Sequence, residues 1–320
     1  MARYYRVDDG YLPVSTEITG YAVSFLVYLH SVSADKRYLE AAERGARFLV
    51  NAWDPKRCVM PFEVDPATKS YFFDCGIIVR GLLSAWRATG EEEFRTVAVA
   101  VGNSMLRDFA SDRGDFHPIL ALPAKRAEER DVARWSRSAG CYQLKAAMAW
   151  WDLFEATGEH CFQKPYERVM EYSLAGFERF LSGFEHAQTM DRLHAFSYFL
   201  EGLLPWANQE RCQEALRLGI VLAGSFLRAI APTFARADVY AQLLRVRLFA
   251  DWAGAVQSDH ATLAEEAESL AQFQREDGGW WFGRKNGEMM PFINPVSAAF
   301  GAQALDLWKR REQINRHLLV

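Results

Sequence analysis

No stretch of about 18 apolar residues, the length a membrane-spanning helix requires, occurs anywhere in this 320-residue chain. Its opening residues, MARYYRVDDGYLPVS, carry neither an apolar leader core nor a cleavage-site pattern. A soluble, cytoplasmic protein with no membrane insertion is therefore expected. Charge of one sign is missing too: 37 Lys and Arg stand against 41 Asp and Glu, a formal charge of −4, with no polybasic run. That balance argues against nucleic acid or an anionic membrane as partner and leaves a small neutral or anionic ligand open. Cysteine is scarce, and Cys58, Cys75, Cys141, Cys161 and Cys212 are odd in number, widely spaced and mostly set in apolar segments. Reduced core thiols, not a disulfide framework, follow from that pattern.

Sharp catalytic signatures are equally scarce. The chain has no phosphate loop, no dinucleotide fingerprint and no Gly-x-Ser-x-Gly nucleophile pattern. His160-Cys161 lies in a turn without neighbouring ligands, so no metal and no cofactor is expected.

What the chain does have is apolar mass: half its residues are hydrophobic and 14% aromatic, with 22 Phe, 12 Tyr and 10 Trp. A large core and an aromatic-lined cavity can both be built from this. The stretch YFFDCGIIVRGLLSAWRATGEEEF, Tyr71 to Phe94, sets the pattern. Ile77, Ile78, Leu82, Leu83 and Trp86 recur at helical spacing, Gly76 and Gly81 thin the helix for close packing, and Thr89-Gly90 ends it before an acidic start to the next. Asp74 is the polar residue at its mouth. SAGCYQLKAAMAWWDLFEATG closes on the same Ala-Thr-Gly, and RLHAFSYFLEGLLPWANQ and RADVYAQLLRVRLFADW are weaker echoes.

Apolar first helices are expected to start near residues 17, 74, 138, 194, 238 and 294, most followed by an amphipathic partner. Ser15 or Thr16 can cap the first, over Glu17 to Ser31. Spacings of about 44 to 64 residues suit a helical hairpin with its loops. Six such hairpins predict an all-α fold, an (α/α)6 toroid forming a single domain over 1–320; an open solenoid is the structural rival.

STEITGYAVSFLVYL, FFDCGIIVRGLLSAWRATGEEEF, RLHAFSYFLEGLL and DGGWWF also resemble segments of a largely uncharacterised group of bacterial (α/α)6-toroid proteins associated with polysaccharide synthesis. That group is related in architecture to six-hairpin glycosidases and terpenoid cyclases. The resemblance spans nearly the whole chain and implies the fold more than the reaction, since toroids host hydrolases, lyases, sugar epimerases, prenyltransferases and cyclases. Departures narrow this. Triterpene cyclases of this architecture carry an Asp-x-Asp-Asp acid motif, for which Asp8-Asp9 is too little, and the prenyltransferase zinc set is absent because Asp74 and Cys75 are adjacent.

In a ring of this kind the first residues of each inner helix line the cavity at one end. Glu17, Asp74, Tyr142, His194, Asp238 or Tyr240, and Asn294 fall there. Two carboxylates facing a cavity could serve as acid and base on a glycosidic bond, although helix capping would also explain Glu17 and Asp74. His194 could move a proton beside a sugar carbonyl or carboxylate. Trp280 and Trp281, after Asp277-Gly278-Gly279, offer rings for a sugar to stack on, and Arg284 with Lys285 could meet an acidic sugar. Asp115 and His117, in a long connection, could cover the mouth. Asp74, Glu17 and His194 are thus the expected catalytic residues, and Tyr142, Asp238, Tyr240, Trp280, Trp281, Arg284 and Asn294 the expected binding residues, for a small-molecule or oligosaccharide ligand. The expected chemistry is hydrolysis or elimination, with epimerisation next. A non-catalytic glycan-binding component of polysaccharide synthesis and an isoprenoid cyclase are the rival readings.

Overall fold

The computed structural model describes residues 1–8 and 10–320; Asp9, half of the Asp8-Asp9 pair, lies outside the described residues. Eleven α-helices carry the fold among them. Five hairpins come first: α1 (Thr16–Ser33) with α2 (Lys36–Ala52), α3 (Phe72–Thr89) with α4 (Glu92–Asp108), α5 (Gln143–Thr157) with α6 (His160–Leu174), α7 (His186–Leu203) with α8 (Glu210–Ile230), and α9 (Ala237–Trp252) with α10 (His260–Ala271). The eleventh helix, α11 (Pro295–Arg310), is followed by a 3-10 turn at Arg316–Leu318. No helix among the described residues is long and apolar enough to cross a membrane. All five cysteines are free, three of them buried.

Local chemistry sets the helix ends. Ser15 is the cap of α1, its Oγ accepting from the Ile18 N–H at 3.4 Å. Both Ala-Thr-Gly stops work alike: Gly90 and Gly158 adopt φ of 76° and 75°, the left-handed region glycine enters without strain, and donate to Trp86 O and Phe154 O at 2.8 and 2.7 Å. Two expected starts shift. Helix α5 begins at Gln143, not Ser138, with Tyr142 at its cap position. Helix α7 begins at His186, so His194 sits in its third turn and not at its mouth. Gly183, at φ 81°, is the break, and nothing between it and Arg192 stops a helix whose Thr189, Met190 and Leu193 are buried.

The chain forms two compact units. The first comprises Met1–Arg3, Pro13–Ser173 and His317–Val320. Its helices α1, α3 and α5 pack in a row with α2 and α4 against them, and three glycines set the spacing. A Cβ on Gly81 would lie 2.6 Å from Gly20 O, and one on Gly76 would lie 2.5 Å from the Ala146 backbone. The helices therefore touch backbone to backbone, closer than any side chain at those positions allows. A small sheet, β3 (Lys69–Tyr71), β4 (Ile119–Ala121) and β5 (Arg126–Ala127), precedes α3 and ties it to the long connection after α4.

The second unit comprises Tyr4–Leu12 and Leu174–Arg316. Here α7, α9 and α11 form the row. The Glu201–Arg245–Gln303 contacts, the His194–Asp238 contact two turns earlier and the Tyr198–Phe300 ring pair show that the three helices run in one direction and in register. Two sheets complete the unit: β1 (Tyr5–Arg6) between β2 (Gly10–Tyr11) and β9 (Phe292–Ile293), and β7 (Gly283–Lys285) between β6 (Phe234–Arg236) and β8 (Glu288–Met289).

Candidate functional site

In the first unit the first turns of α1 and α3 carry Glu17 and Asp74. Neither is the cap residue of its helix: Ser15 caps α1, and Tyr71, at the cap position of α3, makes no side-chain cap bond. Asp74 is buried, and its Oδ2 has no hydrogen-bond partner among the described residues. Burial pushes the Asp74 carboxyl well above the usual range and the Glu17 charge pushes it further, against weaker pulls from Arg3 and the Asp74 backbone N–H. Burial likewise raises Glu17 to about 7, opposed by Arg3. Glu17 keeps some surface, so the pair is enclosed but not sealed. Arg3, absent from the sequence expectation, is held 3.0 Å from Glu63 Oε1 with its guanidinium 5.1 Å from the centre of the Phe62 ring. Tyr142 stands on the neighbouring helix, its ring 6.0 Å from Phe73 and its hydroxyl donating to Ser138 O at 3.0 Å; burial and then the Asp74 charge raise its pKa.

Such a pair can hold one proton near neutral pH while leaving one carboxylate charged, the condition for an acid and a base side by side. It also gives a stability signature. The folded state binds a proton at Glu17 more tightly than the unfolded chain does, so stability from this group is full below its unfolded value near 4.5 and declines as pH rises towards about 7. Glu17→Gln is expected to flatten that decline in urea unfolding measured across pH 4–8; an unchanged slope would show that Glu17 titrates normally.

In the second unit the polar cluster is built on α7 and α9. Arg236, at the end of β6, clamps Asp238 with Nε–Oδ1 at 3.0 Å and Nη2–Oδ2 at 2.6 Å, while its Nη1 reaches Asp191 Oδ1 at 2.6 Å. Its guanidinium lies 4.7 Å from the Phe282 ring centre. His194 Nδ1 is 2.7 Å from Gln242 Oε1 and 3.4 Å from Asp238 Oδ2. Burial lowers the His194 pKa, with Asp238 the main opposing charge, and Asp238 stays low because Arg236 and then His194 outweigh its burial. Arg236, Asp191 and Gln242 were not among the expected site residues. The available signal was spacing: Gln242 follows Asp238 by one helical turn and so shares its face.

The other expected residues in this unit lie elsewhere. Tyr240, two residues from Asp238, projects to the other side of α9, where it lies 6.2 Å from the Phe273 ring. Trp280 is buried over Gly301, whose Cβ would come within 2.6 Å of the indole. Trp281 carries the Arg275 guanidinium 4.5 Å from its ring centre, and Arg284 donates to Gln272 Oε1 at 3.1 Å. Asn294 caps α11, accepting from the Val296 N–H at 2.8 Å.

Asp115 is locked in the first unit by Arg130 at 2.6 and 2.7 Å and by Ser111. With His117 nearby, this connection builds a surface pocket of about 510 Å³. Asp152, Glu155 and His317 bring ligand atoms within 4.8 Å of one another. Arg80 already places a buried positive charge 3.0 Å from Asp152 Oδ2, which disfavours a second cation there.

No protein-family model matches the chain, and no curated protein matches it significantly. Solved structures do match in fold. A sugar epimerase from a ruminal bacterium aligns over 94% of this chain and 88% of its own, at 12% identity and TM-score 0.68. Cellobiose 2-epimerase from Spirochaeta thermophila aligns over 96% and 90%, at 14% identity and TM-score 0.70. An unsaturated glucuronyl hydrolase from Bacillus sp. GL1, which acts in glycosaminoglycan degradation, aligns over 97% and 91%, at 14% identity and TM-score 0.64. At these identities the likeness is one of fold: the chain has the all-α (α/α)6-toroid fold of these sugar-processing enzymes.

Proposed function

We propose that this protein is a carbohydrate-active enzyme that binds a sugar or oligosaccharide and performs acid–base chemistry on it, with Glu17 and Asp74 as the working pair. The observation that carries this reading is the pair itself: two carboxyl groups in the first turns of adjacent helices, one buried with an oxygen that has no hydrogen-bond partner among the described residues. Burying a carboxyl with one oxygen unmet costs stability, and buried carboxyls with strongly raised pKa cluster at sites of acid–base chemistry. In the proposed reaction the protonated member donates to the leaving oxygen, while the ionised member accepts a proton from water or from the sugar ring, giving hydrolysis or elimination respectively. The sugar chemistry of the fold relatives supports the substrate class.

Epimerisation is the second reading, and His194 favours it. A partly exposed imidazole held by Gln242, with a lowered pKa, is neutral near pH 7 and so able to take a proton from carbon beside a sugar carbonyl.

The test is one product analysis of the full chain with a panel of neutral, uronate-containing and unsaturated oligosaccharides. New reducing ends report hydrolysis, ultraviolet absorbance of a new C=C bond reports elimination, and deuterium uptake at C2 reports epimerisation. Turnover of at least one sugar class is expected. Saturable binding without any of the three products would replace the enzyme reading with that of a glycan-binding component.

A further inference from the structure

His194 and Asp238 have the composition of an imidazole–carboxylate pair, but the carboxylate is committed elsewhere. Arg236 takes both Asp238 oxygens in a bidentate clamp, the geometry in which Arg and carboxylate bind each other best. That leaves Asp238 Oδ2 3.4 Å from His194 Nδ1, while Gln242 Oε1 stands at 2.7 Å. We propose that Gln242 is the positioning residue of His194: it holds the neutral imidazole in the Nδ1–H tautomer, which puts the ring's lone pair on Nε2, and Asp238 serves Arg236 instead.

Chemistry fixes the direction of the Gln242 bond. A carboxylate oxygen only accepts, so a lone pair on Nδ1 would face Asp238 Oδ2 in mutual repulsion, whereas a proton there satisfies both neighbours. With the proton on Nδ1, Gln242 must present its carbonyl. The price of that orientation is visible: Gln242 is fully buried, and its Nε2 has no hydrogen-bond partner among the described residues. Turning the amide over would expose its donors to Nδ1 and relieve nothing for Asp238. A buried donor left unmet is tolerated here because the other end of the amide orients a ring. The charges facing that ring are Asp238 and Arg236 from α9 and its approach and Asp191 from α7 itself, and the edge of Tyr198 lies across it at 4.5 Å between ring centres.

The kinetic consequence rests on the second reading above, but the tautomer does not, and the experiment separates them. Long-range ¹H–¹⁵N spectra of the labelled full chain, with His194 assigned from His194→Gln, are expected to show a protonated Nδ1 and an unprotonated Nε2 in the neutral ring. Gln242→Met, of similar length without an acceptor, should move the ring towards the Nε2–H form. Gln242→Glu should restore Nδ1–H and raise the titration midpoint. A wild-type ring in the Nε2–H form, or a folded Gln242→Met protein with an unaltered imidazole spectrum, would overturn the assignment. Should Gln242→Met not fold, the wild-type spectrum decides alone. If a sugar is epimerised, Gln242→Met should lower kcat about 10²-fold or more with KM little changed, because the wrong tautomer withholds the base. A tautomer as expected with kcat untouched would count against His194 as the proton-transfer group and leave its positioning by Gln242 standing.

Discussion

Asp74→Asn is expected to lower kcat on the sugar identified by product analysis by about 10²- to 10⁴-fold, the usual contribution of a positioned acid or base, while making the protein more stable above pH 7. Both halves follow from one geometry. The Asp74 carboxyl is buried, feels the Glu17 charge and leaves Oδ2 without a hydrogen-bond partner among the described residues. An amide of the same shape cannot exchange the proton, so the chemistry is lost. It also carries no charge, so the burial cost and the repulsion by Glu17 both fall away. A gain in stability accompanying a loss of activity is the behaviour of a site held under strain for its function. Thermal or urea unfolding at pH 8, run beside the turnover assay, gives both numbers. Full turnover by Asp74→Asn would remove it from the mechanism; lost turnover with lost stability would mark it as a structural group.

Arg245→Met is expected to cost about 3–5 kcal/mol, the usual effect of removing one member of a buried ion pair. Arg245 and Glu201 are both fully buried and lie 2.5 Å apart. The guanidinium also donates to Gln303 Oε1 at 3.0 Å and stands 3.9 Å from the Phe300 ring centre. Met fills most of the volume, so the loss would come from Glu201, which loses its Arg245 ion pair inside the core between α7 and α9, and not from a cavity. The double variant Arg245→Met with Glu201→Leu should recover most of that loss, since two apolar groups of similar size need no partner. The coupling read from urea midpoints of wild type, both single variants and the double is the measurement. Additive losses would show that the two charges act independently.

The helices were legible because their signals are local. Ser15, Thr89-Gly90, Thr157-Gly158 and Asn294-Pro295 punctuate the chain through bonds made within a few residues, and the observed ends follow them. The start of α7 was misplaced because HAQTMD has a weak apolar period, and only the burial of Thr189 and Met190 makes it helical. The candidate site was sought as residue types in first turns, and those turns do carry Glu17, Asp74 and Asp238. Which polar groups meet was not. Tyr240 is a neighbour of Asp238 in sequence, yet two residues along a helix is just over half a turn of the cylinder.

By itself, then, the sequence determined a chain of apolar helices alternating with amphipathic ones, their stops and caps, and an acidic residue in the first turn of three of the apolar ones, because propensity, periodicity and capping act over one or two turns. Tertiary structure alone decided the partners. Glu17 comes within electrostatic reach of Asp74 because α1 and α3 touch at Gly20 and Gly81; His194 finds Gln242, 48 residues away, because α7 and α9 lie in register; and Arg236, not His194, holds Asp238. Each pairing depends on how far one helix slides and rotates against another, and that is settled by the packing of whole helix faces, which no short stretch of sequence contains.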